Sequence, residues 1–368
     1  MINKSSFNHR RLKFARKRRG VTIKDISGKI DITTRAYSNY ENGQRVPPKN
    51  TLELLSSILD FPTQFFYLDD PIPLDTSCVS FRSLARMSAK VRDQALHAGQ
   101  IALEFSKWLD SQFDLPMSDL PDLRNYEPEA AAETLRSEWV IGELPIKNII
   151  HLLEAKGVRV FSLDEETQDM DAYSFWQDSV PFIFSNTRKT VERSRFDAAH
   201  ELGHLILHKH GDASGKEVEA EANRFASAFL MPQGSVVSRS TKFTTLNWLI
   251  SAKTFWRVSA AALVRRLSDL KIITEWQYRT LSIELSKRGY MKKEPNAIKE
   301  RELSKLLPMV FQTLRQDKIS KNDIASDLGV YAVEIDKLLF NLTLTQMNGG
   351  GASSLRTKKD RSHLKVVK

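Results

Sequence analysis

A chain of 368 residues with 41% hydrophobic and 27% charged residues has material for two or three ordinary globular domains, and it holds no run of 18 apolar residues that would cross a membrane as a helix. The single cysteine, Cys78, excludes an internal disulfide framework and a cysteine-based metal cluster, so a metal here must rest on His, Glu or Asp. The formal charge of +10 points to a polyanionic partner, and the opening MINKSSFNHRR lacks the apolar core of a secretion signal, so a cytoplasmic setting is expected.

The basic residues are concentrated at the start. Lys4, Arg10, Arg11, Lys13, Arg16, Lys17, Arg18, Arg19 and Lys24 all precede the first acidic residue, Asp25. A first helix over 10–19, with Leu12, Phe14 and Ala15 inward, is ended by Gly20. Thr22 caps a second helix over 23–29, and Thr33 or Thr34 caps a third over 35–41, closed by Asn42-Gly43. Two short helices around a tight turn form a helix-turn-helix, whose second helix enters the major groove. Thr33, Thr34, Arg35, Ser38 and Asn39 are the residues that would face bases or phosphates. The run Tyr37-Ser38-Asn39-Tyr40-Glu41-Asn42-Gly43, then Arg45-Val46-Pro47 and an amphipathic helix over 51–59, resembles the lambda-repressor-like, XRE-type DNA-binding domain across about residues 8–68. That resemblance implies double-stranded operator DNA as a partner.

Asp69-Asp70-Pro71-Ile72-Pro73 reads as a linker, because closely spaced prolines remove backbone donors. Helical periodicity returns over 85–113, 129–139 and 146–156. The period then shortens to two. Segments 158–163, 172–176 and 180–184 read as strands of a small antiparallel sheet, and Pro181 places the third either at a strand start or on an edge. An edge strand there is suited to pair with an extended substrate.

The densest chemical signal is His200-Glu201-Leu202-Gly203-His204. Histidines four apart share one helix face, imidazole favours zinc, and a glutamate beside the first histidine can act as general base toward a water whose pKa the metal lowers to about 7. The flanking Phe196, Ala199, Leu202, Leu205, Ile206 and Leu207 make the helix mostly apolar, so its histidines need partners. For the third ligand, His210 has metzincin spacing but lacks the glycine that turn requires, since Leu207 stands there. His208 continues the histidine face and reads as a helix-end or supporting residue. The next helix is a better source. Glu219 and Asn223 lie one turn apart, so Glu219 can ligate while Asn223 orients a histidine; Glu221 and Glu217 are the alternatives.

The run from Phe196 to His208, followed by Glu219-Ala220-Glu221-Ala222-Asn223-Arg224-Phe225-Ala226 and Leu230-Met231-Pro232, resembles the ImmA/IrrE metallopeptidase family. The resemblance implies a gluzincin-like zinc site with His200, His204 and a glutamate of the following helix as ligands, Glu201 as base, and a repressor as protein substrate. The expected fold class is α+β and mostly helical. Its parts are an all-α helix-turn-helix domain (1–68), a linker and helical connecting region (69–145), a minimal metallopeptidase domain with a small antiparallel sheet (146–240), a helical C-terminal domain (241–345) and a disordered basic tail (346–368). Within the C-terminal part, 319–340 reads as two short helices around a turn, better suited to a helical cap than to a second DNA reader. The expected function is a DNA-binding transcriptional regulator fused to a zinc-dependent endopeptidase. The alternative is a non-proteolytic regulator or antitoxin that uses the peptidase-like fold for sensing or for binding a toxin or other partner, and homodimerisation is open in either case.

Overall fold

The computed structural model describes residues 6–74, 88–163, 172–208, 215–241 and 243–343. Lys4, Cys78, His210 and the tail beyond 343 lie outside these residues. Four helices open the chain: α1 (His9–Arg18), α2 (Ile23–Lys29), α3 (Thr34–Glu41) and α4 (Lys49–Leu59). Thr22 accepts from Asp25 N and Thr33 from Ala36 N, so each helix of the helix-turn-helix pair starts on a threonine cap. Leu12, Phe14, Ile26, Tyr37, Leu55 and Phe65 are buried between them. The Arg16 guanidinium donates to both Glu41 carboxylate oxygens at 2.7 and 2.9 Å, which fixes α1 against α3.

The long helix α5 (Ala89–Asp110) packs on α1 and connects this unit to the sheet, because Tyr173 Oη donates to Ala95 O at 2.9 Å. Next come α6 (Pro128–Glu138) and α7 (Ile149–Ala155). Gly157, with φ +78°, follows α7; a Cβ there would sit 2.2 Å from Met117 O, so only glycine admits this turn into the sheet.

The sheet holds β1 (Arg159–Ser162), β2 (Tyr173–Gln177) and β3 (Val180–Ser185) in the order β1-β3-β2. It is mixed, and the expected antiparallel sheet is corrected: β2 pairs antiparallel with β3, whereas β1 pairs parallel with it. The chain crosses from β1 to the far edge and returns by a hairpin to the centre, which makes β3 parallel to β1. Periodicity detects strands and carries no information on their order. Pro181 is therefore in the central strand, and the edge expectation fails for it. It is tolerated at the strand's first end, since the register with β1 starts only at Phe182. The outer strands are β1 and β2, and of these β2 is the one packed on the helix over 191–207. One face of the sheet stacks Tyr173 on Phe184 and Phe175 on Phe182, with centroids 4.7 and 5.2 Å apart. The other face meets α8 (Val191–Leu207), which is followed by α9 (Lys216–Leu230) and α10 (Gln233–Arg239).

The C-terminal third contributes α11 (Leu246–Trp256), α12 (Ala260–Asp269), α13 (Glu275–Lys287), α14 (Leu306–Gln316), α15 (Lys321–Asp327) and α16 (Ala332–Leu339). Buried carboxylates sew it to the rest. Glu154 accepts from Ser304 Oγ and from Lys305 N and Leu306 N; Glu302 accepts from Ile149 N and Arg195; Glu192 accepts from Ile298 N. The two short helices expected over 319–340 form, and α16 is committed to packing. It lies on β1 and α5, and Glu334, 1% exposed, pairs with Arg18 and Arg19 of α1.

Burial alone would push the Glu334 carboxyl up; the charges of Arg18, Arg19 and Lys337 outweigh it and hold the group at about 2. The folded state is thus the weaker proton binder, and the contribution is complete above pH ~4.5 and is lost as pH falls through 2, an effect on the order of 3 kcal/mol. Thermal midpoints measured from pH 5 down to pH 2 should fall more steeply for wild type than for Glu334→Gln, with the two curves converging at the acid end.

Candidate functional site

Thr190 caps α8 by accepting from Arg193 N, and the helix then buries Ala198, Ala199, Leu202, Leu205 and Ile206 between the sheet and α9. His200 and His204 share the remaining face, and His208 ends the helix as its C-cap. Gly203 sets the distance to α9. A Cβ at this position would lie 3.0 Å from the Phe225 ring and 3.4 Å from Ala222 Cα, so a larger residue would wedge the two helices apart.

That close approach brings Glu219 to the histidines. His200 Nε2 and His204 Nε2 are 3.0 Å apart, and the Glu219 carboxylate oxygens lie 3.6 and 3.5 Å from them respectively. The hydrogen-bond network assigns the protons. Asn223 Nδ2 donates to Glu219 O at 2.7 Å, which orients the amide so that Oδ1 faces His200 Nδ1 at 3.2 Å and accepts its proton. The Glu221 carboxylate can only accept, so His208 Nε2 carries the proton of their 2.9 Å bond. Burial lowers the His208 pKa, which favours the neutral ring, and its Nδ1 then accepts from His204 Nδ1 at 3.2 Å. The Nε2 atoms of both histidines turn toward each other and toward the Glu219 carboxylate. Two imidazole nitrogens and a carboxylate converging in this way are a ligand set suited to a divalent cation. Ligands held about 2.05 Å from a tetrahedral zinc lie about 3.3 Å apart, and the observed 3.0–3.6 Å separations fit that size.

His200, His204 and Glu219 therefore form a candidate metal-binding triad. Glu221 is directed to His208 and not into the triad. One helix, α9, thus provides a candidate ligand, the amide on His200 and the carboxylate behind His204. Glu217 is exposed at the helix start. The partnership of Glu221 with His208 is not readable from spacing, because it depends on how two helices cross.

Glu201 is 3% exposed and lines the same cleft as His200 and Glu219. Its Oε2 accepts from Ser174 Oγ at 2.6 Å, and Ser174 is a residue that sequence reasoning missed. The only advance signal was a small polar residue between Tyr173 and Phe175. A cleft of about 880 Å³ opens beside the triad and is lined in part by Ala172, Phe196, Glu201, Arg265 and Tyr290.

On the other unit, Thr33, Thr34 and Arg35 are exposed at the start of α3, and Ser38 and Asn39 are half-buried along it. Most of the basic run that precedes them is taken up in ion pairs. Arg10 pairs with Asp70, Arg11 with Glu104, Arg16 with Glu41, Lys17 with Asp93, and Arg18 and Arg19 with Glu334. Lys13, Lys24, Arg35 and Arg45 are exposed and make no ion pair among the described residues. Within this unit the positive charge available to a polyanion is thus smaller than the count of basic residues suggests.

The chain from Glu221 through His208 to His204 generates a prediction. Glu221→Ala removes the acceptor that fixes the His208 proton and should weaken divalent metal binding by roughly 10- to 100-fold, measured by competition with a chromophoric chelator.

Comparison with known families agrees with both units. Residues 10–68 match the family model of a helix-turn-helix domain, and residues 153–268 match the peptidase family model described as the IrrE N-terminal-like domain. No curated protein matches the chain. The chain carries an XRE-like helix-turn-helix domain followed by an IrrE N-terminal-like peptidase domain.

Proposed function

We propose that the protein is a DNA-binding transcriptional regulator that is also a zinc-dependent endopeptidase acting on a regulatory protein such as a repressor. The observation that carries this reading is the convergence of two imidazole Nε2 atoms and the Glu219 carboxylate beside a buried Glu201. His200, His204 and Glu219 would hold the metal. When bound, zinc supplies Lewis acidity toward a peptide carbonyl and toward water. The Glu201 carboxylate takes a proton from the attacking water and returns it to the departing amine. Asn223 and His208 keep the ligand imidazoles in their Nδ1–H tautomers, with both Nε2 atoms directed inward. β2 is the outer strand on the cleft side, and Ala172 just before it lines the cleft, so an extended peptide can pair with its backbone next to Glu201.

DNA recognition falls to α3, with Thr33, Thr34 and Arg35 at its exposed start and Ser38 and Asn39 one turn on. The ion pairs of α1 with Glu334 and Glu104 join the reading head to the body that holds the metal site. A bound operator would then present the cleft to proteins assembled on the same DNA.

Two measurements test the two halves. Glu201→Gln should retain metal and operator binding yet lose at least ~100-fold in cleavage rate, and with it derepression of a reporter fused to the operon's upstream region. Wild-type reporter behaviour in that variant would sink the proteolytic half. Arg35→Ala should weaken binding to upstream operon DNA at low salt and reduce the slope of log affinity against log salt by about one. An unaltered slope would remove α3 from the interface.

A further inference from the structure

Trp176 and Ser174 lie two apart on β2, so their side chains project from the same face. Both reach α8. Trp176 Nε1 donates to Leu205 O at 3.0 Å, and one helical turn earlier Ser174 Oγ donates to Glu201 Oε2 at 2.6 Å. The intervening Phe175 and the preceding Tyr173 belong to the opposite, aromatic face, where they stack on Phe182 and Phe184. The face of β2 that meets α8 is therefore built from residues that bond to it, and at position 174 the strand passes close enough for a single hydroxyl to reach the carboxylate. Ser174 is 2% exposed, and its Oγ also lies 3.3 Å from the Glu201 carbonyl oxygen. A hydroxyl has one proton, and the shorter contact to the charged oxygen claims it.

We propose that Ser174 is a positioning residue for Glu201: its hydroxyl locks the carboxylate to the same edge strand that receives the substrate backbone. This rests on the peptidase reading above. A glutamate with three rotatable bonds, anchored only by its own helix, would sample several directions. Tied to β2, it shares one rigid reference with a peptide paired to that strand, so base and scissile bond stay in register without further adjustment. Alanine at 174 fits the space and removes only the donor. The consequence is loss of rate with little change in substrate affinity, since the strand edge itself is intact.

The test uses the full chain loaded with cobalt(II), so that binding is read from the visible spectrum and does not depend on turnover. Acetohydroxamate is the probe, because a hydroxamate chelates the metal and hydrogen-bonds to the adjacent base carboxylate. Ser174→Ala should bind cobalt as wild type does but take acetohydroxamate about tenfold more weakly, the scale of one charge-assisted hydrogen bond. Cleavage should show kcat lowered about tenfold at unchanged KM. Trp176→Phe, which removes the neighbouring strand-to-helix bond and leaves the hydroxyl in place, should bind the probe like wild type. Equal probe affinity in Ser174→Ala and wild type overturns the inference alone, and so does an equal loss in Trp176→Phe, which would assign the effect to strand anchorage. Cobalt-loaded wild type that takes no acetohydroxamate overturns the metallopeptidase reading together with it.

Discussion

The close approach of α8 and α9 is the constraint on which the rest of the site depends. A Cβ at Gly203 would crowd Phe225 and Ala222, and the small residues of α9 let its axis come near enough for Glu219 to reach between two histidines. Widening that gap by a methyl group would withdraw the carboxylate, the Asn223 amide and the Glu221 link to His208 together, because all three ride on one helix. The packing of two apolar helix faces and the polarity of the cleft are thus a single arrangement seen from two sides. The hydrophobic contact supplies the stabilisation, and the polar groups gain their geometry from it.

A second theme is the use of buried carboxylates as fasteners. Glu154, Glu192, Glu302 and Glu334 each accept from backbone amides or arginines far away in the chain, and together they hold the C-terminal third against α7, α8 and α1. Ionised groups taken out of water need several donors each, and these carboxylates find them. The result is a body in which α16 touches both the sheet of the peptidase unit and the first helix of the DNA-binding unit. The mechanical link between the two units runs through contacts and not only through the linker at 69–73.

This link changes the meaning of the protein's charge. Arg16, Arg18 and Arg19 look like an electrostatic surface when read in order along the chain. Their partners, Glu41 and Glu334, stand 25 and about 315 residues further on. A count of basic residues has no access to such distances, so it overstates the charge offered to DNA.

Much of the architecture was legible in the residues themselves. Threonine caps, glycine stops and a change of hydrophobic period from 3.6 to 2 delimit helices and strands, since these are local preferences of the backbone. The i, i+4 histidines are local in the same sense, as one helix face carries both. Tertiary structure decided what depends on how elements cross. It made the sheet mixed with β3 at its centre, directed Glu219 to the histidine pair and Glu221 to His208, paired Arg16, Arg18 and Arg19 of α1 with remote carboxylates, and brought Ser174 onto Glu201. Each of these is a contact between residues remote in sequence, and the energy of such a contact exists only once packing has set the distance; a linear pattern records which groups are present and not which of them meet.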